Sequence, residues 1–354
     1  MIISLKPDVE DYEKEKLFEQ LHLLGHNCYY TGIYGQQSLV LSKPLNGDEL
    51  KAISASPAIL NITPVNKEYK LASRTWKDNA TSFSVKGQCI GGKAINIIAG
   101  PCSVENESQI FQTAEYLHKL GIKFIRGGAY KPRTSPYSFQ GLGKEGLRMI
   151  RRAADEFDLR VVTEVIDSSL IDEIYEYADI LQVGSRNMQN FYFLKQLGKI
   201  DKPILLKRGM ASKVEEWLNA AEYILSEGNG KVILCERGIK TFDNSMRNTM
   251  DIGAIPMAKS LTHLPVFADP SHGTGRRNLV GPMALAAIAA GADGIMVEIH
   301  PNPEKALSDG AQSLYLEQFK ELLEKMDKLA AVSGRITDNQ LKLQASAKTE
   351  LCVE

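Results

Sequence analysis

The sequence predicts an α/β chain: a (β/α)8 barrel with a small α+β unit in front of it. Three observations carry this prediction. From Ile95 onward eight short apolar runs recur, each followed by a stretch able to form a helix. The runs are almost continuously apolar instead of alternating, as strands buried on both faces must be. Their C-terminal ends collect ionisable residues, which is where a barrel of this kind carries its site. The length of 354 residues suits one large barrel plus a small extra domain.

Residues 1–66 read as strand, helix, strand, strand, helix, strand, the order of a ferredoxin-like split βαβ domain. "MIISLKP" opens it; Val9, Tyr12, Leu17, Leu21 and Leu24 then recur near helical spacing, with Gly25 as the stop. "NCYYTGIYGQQSLVLS" supplies two apolar runs separated by Gly35, Gln36 and Gln37, a hairpin signal, before "NGDELKAISAS" and "ILNITPV". Residues 67–93 are polar and irregular and are expected to serve as linker and barrel lid. The barrel spans 94–333, through "INIIAGPCS", "KFIRGGAY", "RVVTEVI", "ILQVGS", "PILLKRG", "KVILCERG", "PVFADPSH" and "GIMVEIH". A doubly wound sheet would expect a Gly-rich fingerprint after its first strand, and "AGPCSVE" is not one. The tail, 334–354, lacks clear periodicity and is expected to be loosely ordered.

The formal net charge is −1, with Lys and Arg dispersed, so neither nucleic acid nor an anionic membrane is suggested as a partner. The N-terminus has no basic segment followed by a long apolar one, and nowhere do about 18 apolar residues run together, so a soluble cytoplasmic protein is expected. Five cysteines, odd in number and widely spaced, make no disulfide framework; Cys28, Cys89 and Cys235 are read as packing residues.

Strand after strand ends in chemistry: Cys102, Arg126 with Lys131, Glu164, Arg186, Lys207, Glu236 with Arg237, Asp269 with His272, and Glu298 with His300. Such residues are costly to bury unless they meet partners or a charged ligand. The cations Arg126, Lys131, Arg133, Arg186, Lys207 and Arg237 converge on one mouth and outnumber its carboxylates, which suits a substrate bearing more than one phosphate or carboxylate. Cys102, His272, Glu298 and, in the following loop, Asp309 offer a thiolate, an imidazole and two carboxylates, a donor set for a divalent Zn, Fe or Mn ion.

At these residues "AGPCSVE", "KPRTS", "VGSRNMQN", "LLKRGM", "ADPSHGTGRR" and "MVEIHPNPEKALSDGAQSL" closely resemble the 3-deoxy-D-arabino-heptulosonate-7-phosphate (DAHP) synthases of the type I beta group, across essentially all of 95–333. The resemblance implies a TIM barrel that condenses phosphoenolpyruvate with erythrose 4-phosphate in the shikimate pathway. It puts the metal ligands on Cys102, His272, Glu298 and Asp309. Phosphoenolpyruvate contacts fall on Arg126, Lys131, Arg186, Lys207 and Arg237 beside the Gly184 and Ser185 backbone, and erythrose 4-phosphate contacts on Pro132, Arg133, Thr134 and Ser135. Lys131 is then the candidate proton donor and Glu164 the candidate for orienting water.

Three rivals are weighed. The related 3-deoxy-D-manno-octulosonate-8-phosphate synthases typically read Lys-Ala-Asn-Arg-Thr-Ser where this chain has the shorter Lys131-Pro132-Arg133-Thr134-Ser135. A Schiff-base aldolase on Lys207 is disfavoured by the surrounding cations, beginning with Arg208. A non-catalytic aromatic amino-acid sensor is disfavoured by intact metal ligands. The resemblance further implies a homotetramer whose N-terminal domain confers feedback inhibition by tyrosine or phenylalanine. No fused chorismate mutase segment is expected, since the chain ends soon after the barrel.

Overall fold

The computed structural model describes residues 1–340. β1 (Ile2–Leu5), α1 (Asp11–Leu23), β2 (Cys28–Ile33), β3 (Gln36–Leu41), α2 (Gly47–Ser54) and β4 (Ile59–Thr63) build the N-terminal unit. Its sheet order is β2-β3-β1-β4 with every neighbouring pair antiparallel, which is the ferredoxin-like split βαβ arrangement. Met1, Ile3, Leu5, Leu17, Leu21, Leu39, Leu41 and Ile53 give the unit a small core of its own. Asn46 starts α2 by accepting from the Asp48 and Glu49 amides while Glu49 reaches back to the Asn46 amide.

Two details differ from the sequence reading. The hairpin turns at Tyr34-Gly35, whose φ angles of 54° and 71° match the primed turns that suit twisted strands, and Gln36 and Gln37 already pair with Ile33 and Gly32. Tyr12 is exposed, because five residues of helix carry it about 140° around the axis from the buried Leu17.

After β5 (Phe83–Val85) and β6 (Gln88–Ile90) come β7 (Ala94–Gly100), α3 (Glu107–Lys119), β8 (Phe124–Arg126), α4 (Lys144–Glu156), β9 (Arg160–Val165) and α5 (Ile171–Tyr177). The alternation continues with β10 (Ile180–Val183), α6 (Phe191–Gly198), β11 (Ile204–Lys207), α7 (Val214–Leu225), β12 (Val232–Glu236), α8 (Ala254–Leu261) and β13 (Val266–Ala268). The short α9 (Pro270–Thr274), α10 (Arg277–Ala289), β14 (Gly294–Glu298), α11 (Leu316–Val332) and β15 (Ile336–Thr337) complete the described chain. Strands β7 to β14 are parallel neighbours in chain order, and β14 returns onto β7, which closes the barrel. Alternate residues serve two cores. Ile98, Phe124, Val162, Leu205, Ile233, Phe267 and Met296 fill the interior, while Ile97, Ile125, Val161, Leu206 and Leu234 face the helices with Phe193 and Trp217.

The segment expected as linker and lid lies at the opposite end from the mouth. Val85 and Ile90 of the β5–β6 hairpin enter the interior core, the Arg160 guanidinium at the start of β9 donates to the Lys86 carbonyl at 2.7 Å, and the Thr81 amide donates to the His263 carbonyl just ahead of β13. The hairpin is a floor plug. The tail departs from expectation too: β15 pairs in parallel with the start of β7, and buried Asp338 accepts from the Ile97 amide at 3.3 Å; residues 341–354 lie outside the described residues. Cys28, Cys102 and Cys235 are free thiols, but Cys89 is disulfide-bonded, which corrects its reading as a packing residue.

The N-terminal unit touches its own barrel on the floor side. The Tyr34 hydroxyl donates to the Gly230 carbonyl ahead of β12 at 2.8 Å, and its ring meets His263 edge-on at 5.7 Å.

Candidate active site

The strands end in a cavity of about 320 Å³ at the C-terminal face, within the size range of small-molecule sites. Seven cationic side chains, Arg126, Lys131, Arg133, Arg186, Lys207, Arg237 and Arg247, line it against two carboxylates, Glu164 and Asp309. Pro132, Thr134, Ser135, Gly184, Ser185 and His272 also line it. Most residues singled out in the sequence are therefore brought together, and Cys102 and Glu298 lie beneath them.

Cys102, from the loop after β7, His272 on α9, Glu298 at the end of β14 and Asp309 in the loop after it each offer one donor atom, all within 4.8 Å of one another. His272 Nε2 stands 3.4 Å from Glu298 Oε1 and 3.8 Å from Asp309 Oδ2, and Cys102 Sγ stands 3.4 Å from the same Asp309 oxygen. Bonds of about 2.0–2.3 Å to a shared ion put donors at roughly 3–4.5 Å, so the set fits one divalent cation. His272 Nδ1 donates to Asp269 Oδ2 at 2.7 Å, which leaves Nε2 facing the other donors. Asp309 holds a left-handed φ of 51°, a backbone state that Asp tolerates better than most residues.

Electrostatics agree with this reading. Burial pushes the Cys102 thiol up to about 12, helped by Glu298, so it is a thiol until a cation or base takes its proton. Burial lowers the His272 imidazole against the opposing pull of Asp269 and Glu298. Burial would raise Glu298 and Asp309, yet His272 and Arg126 hold Glu298 low, and His272 with Arg247 holds Asp309 at about 2. Burial would lower Lys131, but the charges of Glu164 and of Cys102 once it is ionised outweigh it and raise the ammonium.

The cations fall into two groups. Arg126 pairs with Glu298, Lys207 with Asp269 at 2.6 Å and Arg247 with Asp309 at 3.4 Å. Among the described residues Lys131, Arg133, Arg186 and Arg237 form no ion pair. Lys131 donates to the Cys102 carbonyl and thiol at 3.1 Å, Arg133 to the Phe139 carbonyl at 2.9 Å, and Arg186 to the Pro132 carbonyl and Thr134 hydroxyl at 3.4 Å. Arg237, only 4% exposed, donates to the Gly238 carbonyl at 3.4 Å. A guanidinium so buried and so weakly satisfied is costly in the free protein and matched to an anion. Gly184 is required by close approach: a Cβ there would fall on the Glu164 carboxylate.

Two strand-end residues turn elsewhere. Glu236 accepts from Arg208 at 2.8 Å, and His300 faces Glu105 at 3.4 Å. Three residues went unremarked in the sequence. Arg247 comes from the loop between β12 and α8, off any strand end. The Ser308 hydroxyl lies 3.0 Å from Cys102 Sγ and 2.5 Å from Arg133 Nη2, and the Gln312 amide donates to Glu298 Oε2 at 2.5 Å. The only sequence signal for the last two was their nearness to Asp309.

Fold and site together define a barrel with a cluster of four donors able to hold a metal ion beside a pocket rich in cations. The DAHP synthetase I family model matches residues 77–333, and the chain belongs to that family. It is 47% identical over 338 residues to the phospho-2-dehydro-3-deoxyheptonate aldolase of Thermotoga maritima, covering 94% of this chain and 99% of the relative. The 2-dehydro-3-deoxyphosphooctonate aldolase of Desulfotalea psychrophila is 33% identical over 68% of this chain and 91% of its own. The crystal structure of the T. maritima phospho-2-dehydro-3-deoxyheptonate aldolase (DAHP synthase) superposes with a TM-score of 0.76 at 45% identity, covering 95% of this chain and 98% of that one. A truncated form of 3-deoxy-D-arabino-heptulosonate 7-phosphate synthase from the same organism gives 0.72 at 49% identity, over 76% and 99%. No described helix is long and apolar enough to cross a membrane.

Proposed function

We infer that the chain condenses phosphoenolpyruvate and erythrose 4-phosphate with water to give DAHP and inorganic phosphate. The observation that carries this is the set of four cations without a carboxylate partner, Lys131 and Arg237 buried, Arg133 half-buried and Arg186 exposed, that line one cavity with the His272 and Asp309 members of the donor set. The four-carbon aldehyde is favoured over arabinose 5-phosphate by the higher identity and wider coverage of the heptonate aldolase than of the octonate aldolase.

In the assignment we propose, Arg126, Arg186, Lys207 and Arg237 neutralise the phosphate and carboxylate of phosphoenolpyruvate, while Arg133, Thr134 and Ser135 take the sugar phosphate, both by charge-assisted hydrogen bonds. A divalent Mn, Fe or Zn ion held by the four donors supplies Lewis acidity toward the aldehyde oxygen. The cationic pocket orients C3 of the enol toward the aldehyde carbon, where the new C–C bond forms. Lys131, kept charged beside Cys102, gives a proton to the former aldehyde oxygen. Glu164 orients the water that adds at C2, the C–O bond to phosphate breaks, and the proton that the water gives up restores the balance.

Loss of phosphoenolpyruvate with erythrose 4-phosphate, but not with arabinose 5-phosphate, and its abolition by a chelator test this reading; equal turnover of both aldehydes contradicts it.

We propose further that the enzyme works in the cytoplasm as a homotetramer, and that the N-terminal unit confers inhibition by tyrosine or phenylalanine. Docking of Tyr34 on the floor keeps the unit off its own mouth, so any closure comes from a neighbouring copy that binds effector better when closed. Starting the chain near Trp76 should leave catalysis and remove the inhibition. A full-length enzyme insensitive to both amino acids contradicts the proposal.

A further inference from the structure

The two carboxylates of the cation centre share a support that comes from outside the strand ends. Gln312 is buried; its amide nitrogen donates to Glu298 Oε2 at 2.5 Å, and its amide oxygen accepts from Arg247 Nη1 at 3.1 Å. The same Arg247 nitrogen lies 3.4 Å from Asp309 Oδ2. Glu298, Gln312, Arg247 and Asp309 therefore form one chain of contacts, and a glutamine amide bridging an acceptor and a donor has one orientation that satisfies both.

The loop that delivers Arg247 is itself fastened. Ile239 and Thr249 exchange both backbone hydrogen bonds at 2.9 and 2.8 Å, the Arg247 amide donates to the Thr274 carbonyl at 3.1 Å, and the Asn248 side chain donates to the His272 carbonyl at 2.9 Å. Adjacent residues of this strap thus bear on His272, on Asp309 and, through Gln312, on Glu298. Cys102 is served separately by Ser308.

We propose that Gln312 and Arg247 are positioning residues for the cation centre: a strut from the loop between β12 and α8 that holds Glu298 and Asp309 at the separation a divalent cation needs. This rests on the reading of the four donors as a metal site. Groups that orient ligating carboxylates govern affinity by removing the cost of ordering them and by keeping a bound oxygen from turning to another partner. Arg126 is such a partner, since it already contacts Glu298 Oε1. Without Gln312, Glu298 is free to swing toward Arg126; without Arg247, both Gln312 and Asp309 lose their anchor.

The test is Mn(II) binding to the full-length protein, followed by the loss of the free-ion electron paramagnetic resonance signal, with folding checked by circular dichroism. Gln312→Met and Arg247→Met should each weaken Mn(II) binding by about 10-fold or more. The double variant should be little worse than either single one, because both cut the same chain of contacts, and Arg247→Lys should recover part of the loss. Folded single variants that bind Mn(II) as tightly as the wild type overturn the strut and leave the metal site standing. Wild-type protein that takes up no Mn(II) overturns the metal site and the strut with it. If Gln312→Met fails to fold, the part-exposed Arg247 decides the matter alone.

Discussion

The two ends of the barrel treat buried charge in opposite ways. At the floor each buried carboxylate is satisfied from within. Asp179 accepts from the Val161 amide at 2.7 Å, Arg151 at 2.8 Å and Lys86 at 2.7 Å; Asp293 accepts from the Val266 amide at 2.9 Å and Lys259 at 2.5 Å; Asp338 accepts from the Ile97 amide and Asn96. One device recurs: an acid beside a strand start caps an amide of a barrel strand. At the mouth Arg126 and Lys207 are paired, but the buried Lys131 and Arg237, the half-buried Arg133 and the exposed Arg186 have no carboxylate partner. The floor spends its polar groups on the fold, and the mouth keeps its own for a ligand, at some cost to stability.

The largest expected effect is at the mouth. Chelation should abolish turnover and Mn, Fe or Zn should restore it, while Cys102→Ser should lower metal affinity sharply, since an alcohol replaces a thiolate. Full activity in chelator would remove the mouth's half of the comparison. At the floor, Asp179→Ala takes the acceptor from the buried Val161 amide and one of two acids from Arg151, which keeps Asp155, and should cost about 1–3 kcal/mol of stability, with kcat/KM of the folded fraction unchanged. Denaturant unfolding beside steady-state assays checks it.

A third prediction sharpens the floor through pH. Burial holds His263 down from 6.5 to about 4, while its ring bonds the Leu71 carbonyl and the Thr81 hydroxyl. The unfolded chain takes up that proton first, so stability is lost as pH falls from about 6.5 to about 4, by roughly 3 kcal/mol. Burial raises Asp338 from 3.8 to about 7. Here the folded state holds the proton longer, so stability is lost as pH rises from about 4 to about 7. The slopes oppose in the shared window. His263→Gln should therefore show stability falling with rising pH, and Asp338→Asn the reverse; parallel profiles would show that neither group titrates as its surroundings dictate.

The fourth separates the two substrates within the mouth. Arg133→Ala should raise KM for erythrose 4-phosphate far more than for phosphoenolpyruvate, by about 1.5–3 kcal/mol, and Arg186→Ala should do the reverse. Equal effects from either variant on both substrates would undo the division.

This contrast also explains what could be read in the sequence. Residues placed by strand geometry were legible, because a buried apolar run that ends in Cys102, Arg126, Lys207 or Glu298 marks its own position and direction. Residues placed by loops were not: Arg247, Ser308 and Gln312 follow no period, and only folding brings them to the donors. Lys207 and Glu236 were legible as strand ends but not as partners of Asp269 and Arg208, since pairing across the barrel depends on rotamers that periodicity does not encode. The floor plug read as a lid because two three-residue strands and a short Ile336–Thr337 strand carry too little pattern to show which end of the barrel they close.

Arg237 bears the central claim, being buried with one weak backbone contact and lining the cavity. The direct measurement is denaturant stability of the wild type and Arg237→Met, with and without phosphoenolpyruvate. At a concentration 100-fold above its Kd the ligand should stabilise the wild type by about 2.7 kcal/mol and the variant not at all, while the ligand-free variant should be at least as stable as the wild type. A ligand-free variant that is clearly less stable, or one that phosphoenolpyruvate stabilises as fully as the wild type, would contradict the account.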